Sequence, residues 1–77
     1  MAAMAYVLIN SRNERDVAKT MLKYKQVTEI HEIYGQWDVI IKIETKEMAD
    51  LQDFINNKIR ADADIVGTET LIVSDVF

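Results

Sequence analysis

The chain has 77 residues, room for one hydrophobic core, and carries nine basic against thirteen acidic residues for a net charge of −4. With 49% hydrophobic and 29% charged residues it has the balance of a globular domain, which excludes a disordered or membrane-embedded chain. The negative charge opposes contact with phosphate backbones, and the absence of cysteine removes disulfides and thiolate metal sites.

A domain of this size buries only about 60% of its unfolded surface, so a partner chain is the expected stabiliser. The start, Met1-Ala2-Ala3-Met4, has no basic leader region, and the apolar run to Ile9 is too short for a signal core or a span. The expectation is one cytoplasmic domain over residues 1–77, with no membrane contact and no direct nucleic-acid binding.

Taken in chain order, residues 5–10 are a continuous apolar run ending in a polar turn, which predicts a strand buried on both faces, β1. Ser11 and Glu14 have capping-box spacing, and Val17, Ala18, Met21 and Leu22 form a helical stripe, which predicts a helix α1 over 12–24. Residues 27–34 are β-branched and mixed with charge, and stop at Gly35 (β2). After the turn Gly35-Gln36-Trp37, a strand β3 over 38–45 has Val39, Ile41 and Ile43 on one face and Ile40, Lys42 and Glu44 on the other. Thr45 is placed to cap a helix α2 over 46–60, whose apolar positions are Met48, Leu51, Ile55 and Ile59 with Phe54 beside them. The last strand, β4 over 65–75, puts Leu71, Val73 and Phe77 on one face and Thr68, Thr70 and Ile72 on the other.

The order β1-α1-β2-β3-α2-β4 predicts an α+β, ferredoxin-like βαββαβ fold: a four-stranded antiparallel sheet with both helices on one face. Two helices cover only one face of such a sheet, yet the other is not polar. Whichever of the pairs Tyr6/Leu8 and Val7/Ile9 meets the helices, the other faces away. With Tyr6 and Leu8 outward, the expected interface of a two-fold dimer through the sheets comprises Tyr6, Leu8, Ile40, Lys42 and Ile72.

Catalytic material is thin. The one histidine, His31, lies inside β2 with Glu29 as same-face neighbour, and a satisfied cross-strand histidine outweighs a general base. One histidine and dispersed carboxylates do not make a metal site, and Glu44, Glu47 and Asp50 complement the helix dipole. No cofactor and no catalytic residue are expected. Gly35-Gln36-Trp37-Asp38 is the most informative segment: turn amides suit a ligand carboxylate and the aspartate an ammonium, the pair of contacts a free amino acid requires. An ordinary hairpin with a turn aspartate and a packed tryptophan explains the same residues equally well. Thr68 and Thr70 share a strand face and offer hydroxyls, as strand threonines commonly do, and Asp62 and Asp64 read as a solvated loop pair.

Three stretches carry a resemblance: Tyr6-Val7-Leu8-Ile9; Tyr34-Gly35-Gln36-Trp37-Asp38 leading into Val39-Ile40-Ile41-Lys42-Ile43; and Val66-Gly67-Thr68-Glu69-Thr70 leading into Leu71-Ile72-Val73. Together they resemble the effector-binding (RAM) domain of the Lrp/AsnC transcription regulators, from about Ala5 to Ser74. The resemblance implies a ferredoxin-like domain that dimerises through its sheet, assembles further into octamer-like rings, and binds an amino acid or related metabolite at contacts between dimers. By the same resemblance, Gly35, Gln36, Trp37, Asp38, Thr68 and Thr70 are the ligand-binding positions; Trp37 stands where the family more often has tyrosine. The helix-turn-helix of those regulators has no counterpart here, so the expectation is a stand-alone module that senses a metabolite itself or joins a full-length Lrp/AsnC regulator, acting on transcription or amino-acid metabolism. Two other readings compete. One is a small dimeric α+β-barrel monooxygenase or isomerase, marked by a polar core cluster around His31 and Tyr34; the other is a purely structural oligomerisation domain.

Overall fold

A computed structural model describes residues 2–74. The elements are β1 (Ala3–Ser11), α1 (Glu14–Leu22), β2 (Val27–Glu32), β3 (Val39–Thr45), α2 (Met48–Phe54), a π-helical turn (Ile55–Ile59) that continues α2, and β4 (Ile65–Ile72). They form one antiparallel sheet in the order β2-β3-β1-β4. The ferredoxin-like prediction is therefore met, with the two most apolar strands in the middle.

The core lies between this sheet and the helices. Ala3, Ala5, Val7 and Ile9 of β1 and Val39, Ile41 and Ile43 of β3 are buried against Val17 and Met21 of α1 and Leu51, Phe54, Ile55 and Ile59 from α2 and its extension. Period-two alternation in the strands meets helical spacing in the helices, so each element presents one apolar face inward. Tyr24 closes the side, its ring edge-on to Phe54 with centroids 5.2 Å apart.

Several local details differ from the sequence reading. The side chain that caps α1 is Asn13, whose Oδ1 accepts the Asp16 amide at 3.1 Å; Ser11 ends β1 instead of opening the helix. Thr45 does not cap α2 either, because its hydroxyl donates to the Glu47 carbonyl at 2.8 Å and leaves Glu47 at the cap position without a side-chain bond. Helix α1 stops at Leu22, where the Lys23 and Tyr24 amides turn back to the carbonyls of Thr20 and Met21. β2 ends at Glu32, two residues before Tyr34, and a register shift between Val27 and Glu29 bends its start. The second helix begins at Met48 and widens after Phe54, with the Arg60 amide bonded to the Ile55 carbonyl at 2.9 Å. β4 closes at Ile72, while Asp75 and Phe77, placed by the pattern in or beside it, lie outside the described residues.

The register also corrects one face assignment. In antiparallel pairing, opposed residues share a face. Ile72 lies opposite Ala5, and Thr70 and Thr68 lie opposite Val7 and Ile9, so all three are on the helix side of the sheet. Ile72 is thus not part of the outer face; Leu71, opposite Tyr6, takes that place. The pattern had fixed alternation within β4 correctly, but which parity faces outward depends on pairing with β1.

Because Asn13 satisfies an amide that the first turn leaves open, Asn13→Ala should lower stability by about 1 kcal/mol in a denaturant titration. Unchanged stability would mean that solvent serves the Asp16 amide equally well.

Candidate functional site

The hairpin between β2 and β3 is closed by the Ile33 amide bonding the Asp38 carbonyl at 2.9 Å, so residues 34–37 form its tip. Gly35 has φ of +123°, a conformation L side chains rarely adopt, and this turns the chain toward Asp38. Tyr34 is fully exposed, Gly35 and Gln36 are exposed, and Trp37 is half-buried.

Asp38 ties this hairpin to the end of β1 in two ways. Its amide donates to the Ile9 carbonyl at 2.9 Å, and its carboxylate Oδ2 accepts the Ser11 amide at 3.0 Å. The next amide, that of Arg12, donates to the Asp64 carbonyl at 2.8 Å, so the loop leading into β4 is fastened to the same corner. One oxygen of the expected ammonium acceptor is therefore already engaged by the backbone. The Ser11 hydroxyl is buried and has no hydrogen-bond partner among the described residues. Nothing in a capping-type spacing signals a tertiary bond 27 residues away, so this contact of Ser11 is not legible in the sequence.

The fold brings the two predicted groups of residues to one end of the sheet. Ile9 is opposed by Val39 on one side and Thr68 on the other, which places the hairpin base and the start of β4 about 10 Å apart across β1. Thr68 and Thr70 are half-buried on the helix side. Asp38 and Thr68 thus lie at one end of the sheet on either side of β1, with Gly35, Gln36 and Trp37 in the hairpin tip before Asp38 and Thr70 two residues further along β4. A more open cleft of 740 Å³ lies at the opposite end, with Lys25, Glu44, Asp50, Phe54 and Lys58 among its lining residues and none of the predicted ligand positions. Its volume does not make it the better candidate, since its charged side chains are mostly exposed and it does not converge on a buried polar group.

On the outer face the residues form rows across all four strands. Glu29, Lys42, Tyr6 and Leu71 make one row, and His31, Ile40, Leu8 and Glu69 the next. Glu29 holds both neighbours: its carboxylate oxygens lie 3.5 Å from Lys42 Nζ and 3.6 Å from His31 Nε2. His31 is largely exposed there, and Tyr34 stands in solvent, so neither takes part in a polar cluster in the core. Tyr6, Leu8 and Ile40 are half-buried only by their neighbours in the sheet, and Leu71 is 49% exposed. No helix among the described residues is long and apolar enough to cross a membrane.

Strand order and one-sided helices define a domain of the ferredoxin-like class. The chain belongs to the Lrp/AsnC ligand-binding domain family, whose model matches residues 4–77. It is similar to the HTH-type transcriptional regulator FL11 of Pyrococcus horikoshii, with 32% identity over 73 residues, 95% of this chain and 48% of that protein. It spans about half the length of the curated relatives it matches. Among solved structures, FFRP-DM1 superposes with a TM-score of 0.90 at 36% identity, covering 92% of this chain and 97% of that one. The hypothetical protein PHS023 from Pyrococcus horikoshii gives 0.88 at 36% identity, covering 95% and 89%.

The two glycines separate conformational need from space. A Cβ at either one meets nothing within 4 Å, but only Gly35 has positive φ. Gly35→Ala should therefore cost about 1–3 kcal/mol through backbone strain, whereas Gly67→Ala should stay within about 0.5 kcal/mol of the parent. Equal losses at both positions in chemical denaturation would contradict this.

Proposed function

We propose that this chain is a ligand-binding and assembly module in which an amino acid or related metabolite, held at the Gly35–Asp38 hairpin and the Thr68/Thr70 start of β4, biases how subunits associate. The observation that carries the proposal is the unpartnered outer face. Tyr6, Leu8, Ile40 and Leu71 form an apolar patch on the side of the sheet that has no helices, rimmed by Lys42, Glu29, His31 and Glu69. Two copies packed sheet to sheet bury the patch on both at once, the self-complementary contact that a two-fold axis makes. Such dimers then assemble into a larger ring, with the hairpin corners at the contacts between them.

The corner suits an α-amino acid. Turn amides around Gly35 and Gln36 face a carboxylate, the free oxygen of Asp38 an ammonium, Trp37 an apolar side chain, and Thr68 and Thr70 the remaining polar atoms. A ligand shifts assembly only by binding the assembled form more tightly than the free dimer, which a site shared between dimers provides. In this reading the module works in the cytoplasm without a cofactor, and it regulates transcription or amino-acid metabolism, alone or joined to a full-length Lrp/AsnC regulator. The absence of any polar cluster in the described core around His31 and Tyr34 supports binding in preference to catalysis.

Two measurements test the reading. Leu8→Lys, which places a charge in the centre of the outer face, should lower the mass seen in sedimentation from dimer or larger to monomer. A parent chain that is already monomeric at micromolar concentration would remove the dimer and the shared site together. In calorimetric titration against the free amino acids, at least one should bind the assembled protein with Kd below about 1 mM, near −4 kcal/mol. Binding by none would leave a purely structural oligomerisation domain.

A further inference from the structure

We infer that Ser11, the last residue of β1, is a positioning residue of the ligand corner that acts through Asp38. The inference deepens the proposed function and rests on it.

Ser11 brings two donors to one place. Its amide is bonded to Asp38 Oδ2 at 3.0 Å, while its hydroxyl, on the same residue, is buried and has no hydrogen-bond partner among the described residues. A buried hydroxyl without a partner is unfavourable, and an alanine here would remove the burden without disturbing the amide bond. The hydroxyl is therefore not explained by the stability of the ligand-free fold. The Asp38 carboxylate, already bonded to the amide of Ser11, has two oxygens and several lone pairs and accepts one bond from the described residues.

A rotation of the Asp38 side chain lets the Ser11 O–H donate to the carboxylate as well. Such a rotation is what an arriving ammonium demands, because it draws one carboxylate oxygen toward the corner. The amide alone then holds the carboxylate at one point, and the amide and hydroxyl together hold it at two. The reserve donor thus fixes the orientation of the carboxylate in the bound state and contributes nothing in the free state. Ser11 also adjoins the tie between Arg12 and the Asp64 carbonyl, so a shift at Asp38 reaches the loop that enters β4, where Thr68 and Thr70 follow.

The test compares the parent chain, Ser11→Ala, Ser11→Thr and Asp38→Asn, each by thermal unfolding without ligand and by calorimetric titration with whichever amino acid binds the parent. Ser11→Ala should unfold at the same temperature as the parent or higher, yet bind about tenfold more weakly, about 1.4 kcal/mol. Ser11→Thr, which keeps the hydroxyl, should restore binding to within about threefold of the parent. Asp38→Asn keeps an oxygen for the Ser11 amide, so it should stay folded while losing the ammonium-bearing ligand. The inference is overturned if Ser11→Ala binds like the parent, or if it lowers the unfolding temperature, since the hydroxyl is then either idle or already bonded in the free fold. A parent that binds no amino acid overturns the functional reading itself and this inference with it; a parent that binds while Ser11→Ala binds equally well overturns this inference alone.

Discussion

A single layer of helices over a four-stranded sheet leaves the sheet's other face without cover. β1 and β3 fill the middle of the sheet, and both have apolar side chains on both faces: Val7, Ile9, Ile41 and Ile43 under the helices, and Tyr6, Leu8 and Ile40 away from them. The first set is removed from water entirely by Val17, Met21, Leu51 and Ile59. The second set has only the flat company of its own sheet. In a chain of 77 residues without disulfides, this imbalance leaves an apolar surface without cover, and the proposed assembly rests on it more than on any single residue.

The same sheet explains where a ligand site can arise. Both the hairpin and the start of β4 are irregular ends of strands that flank β1, and irregular backbone has amides that no ladder consumes. Asp38 turns that looseness into geometry, since its backbone and side chain both reach across to the end of β1. A rigid corner is a better binding element than a free loop, because less ordering remains to be done when a ligand arrives.

The outer rows show how the apolar patch is kept in register. Glu29 sits between Lys42 and His31 and gives the edge of the patch fixed polar partners, while the centre has none. Exposed pairs of this kind contribute little to stability, but opposed against a second sheet they discriminate between packings. Short, bulged and charged, β2 is protected as an edge, whereas Val66 on β4 is 66% exposed and Leu71 and Ile72 are close to half exposed. The two edges of the sheet are thus chemically unequal.

How much of this was legible without coordinates varies by residue for clear reasons. Element order, the inward set Val39, Ile41 and Ile43, and the helical stripe Val17 and Met21 follow from side-chain period, which is a local property that burial then selects. The family resemblance likewise rests on short ordered motifs, and the match over residues 4–77 upholds it. What residue types cannot encode locally is partner choice. Ser11 resembled a cap because its spacing to Glu14 fits one, yet Asn13 won the helix end and Ser11 went to Asp38, a contact across 27 positions. Ile72 and Leu71 were interchangeable by alternation, and only the pairing of β4 with β1 decided which of them faces outward. The sequence by itself determined which elements form and that their apolar surface exceeds what two helices can cover, because both are sums over local side chains. Tertiary structure alone decided the faces of β4, the placement of the hairpin base and Thr68 at one end of the sheet, and the engagement of Asp38, because each depends on the register between strands distant in the chain.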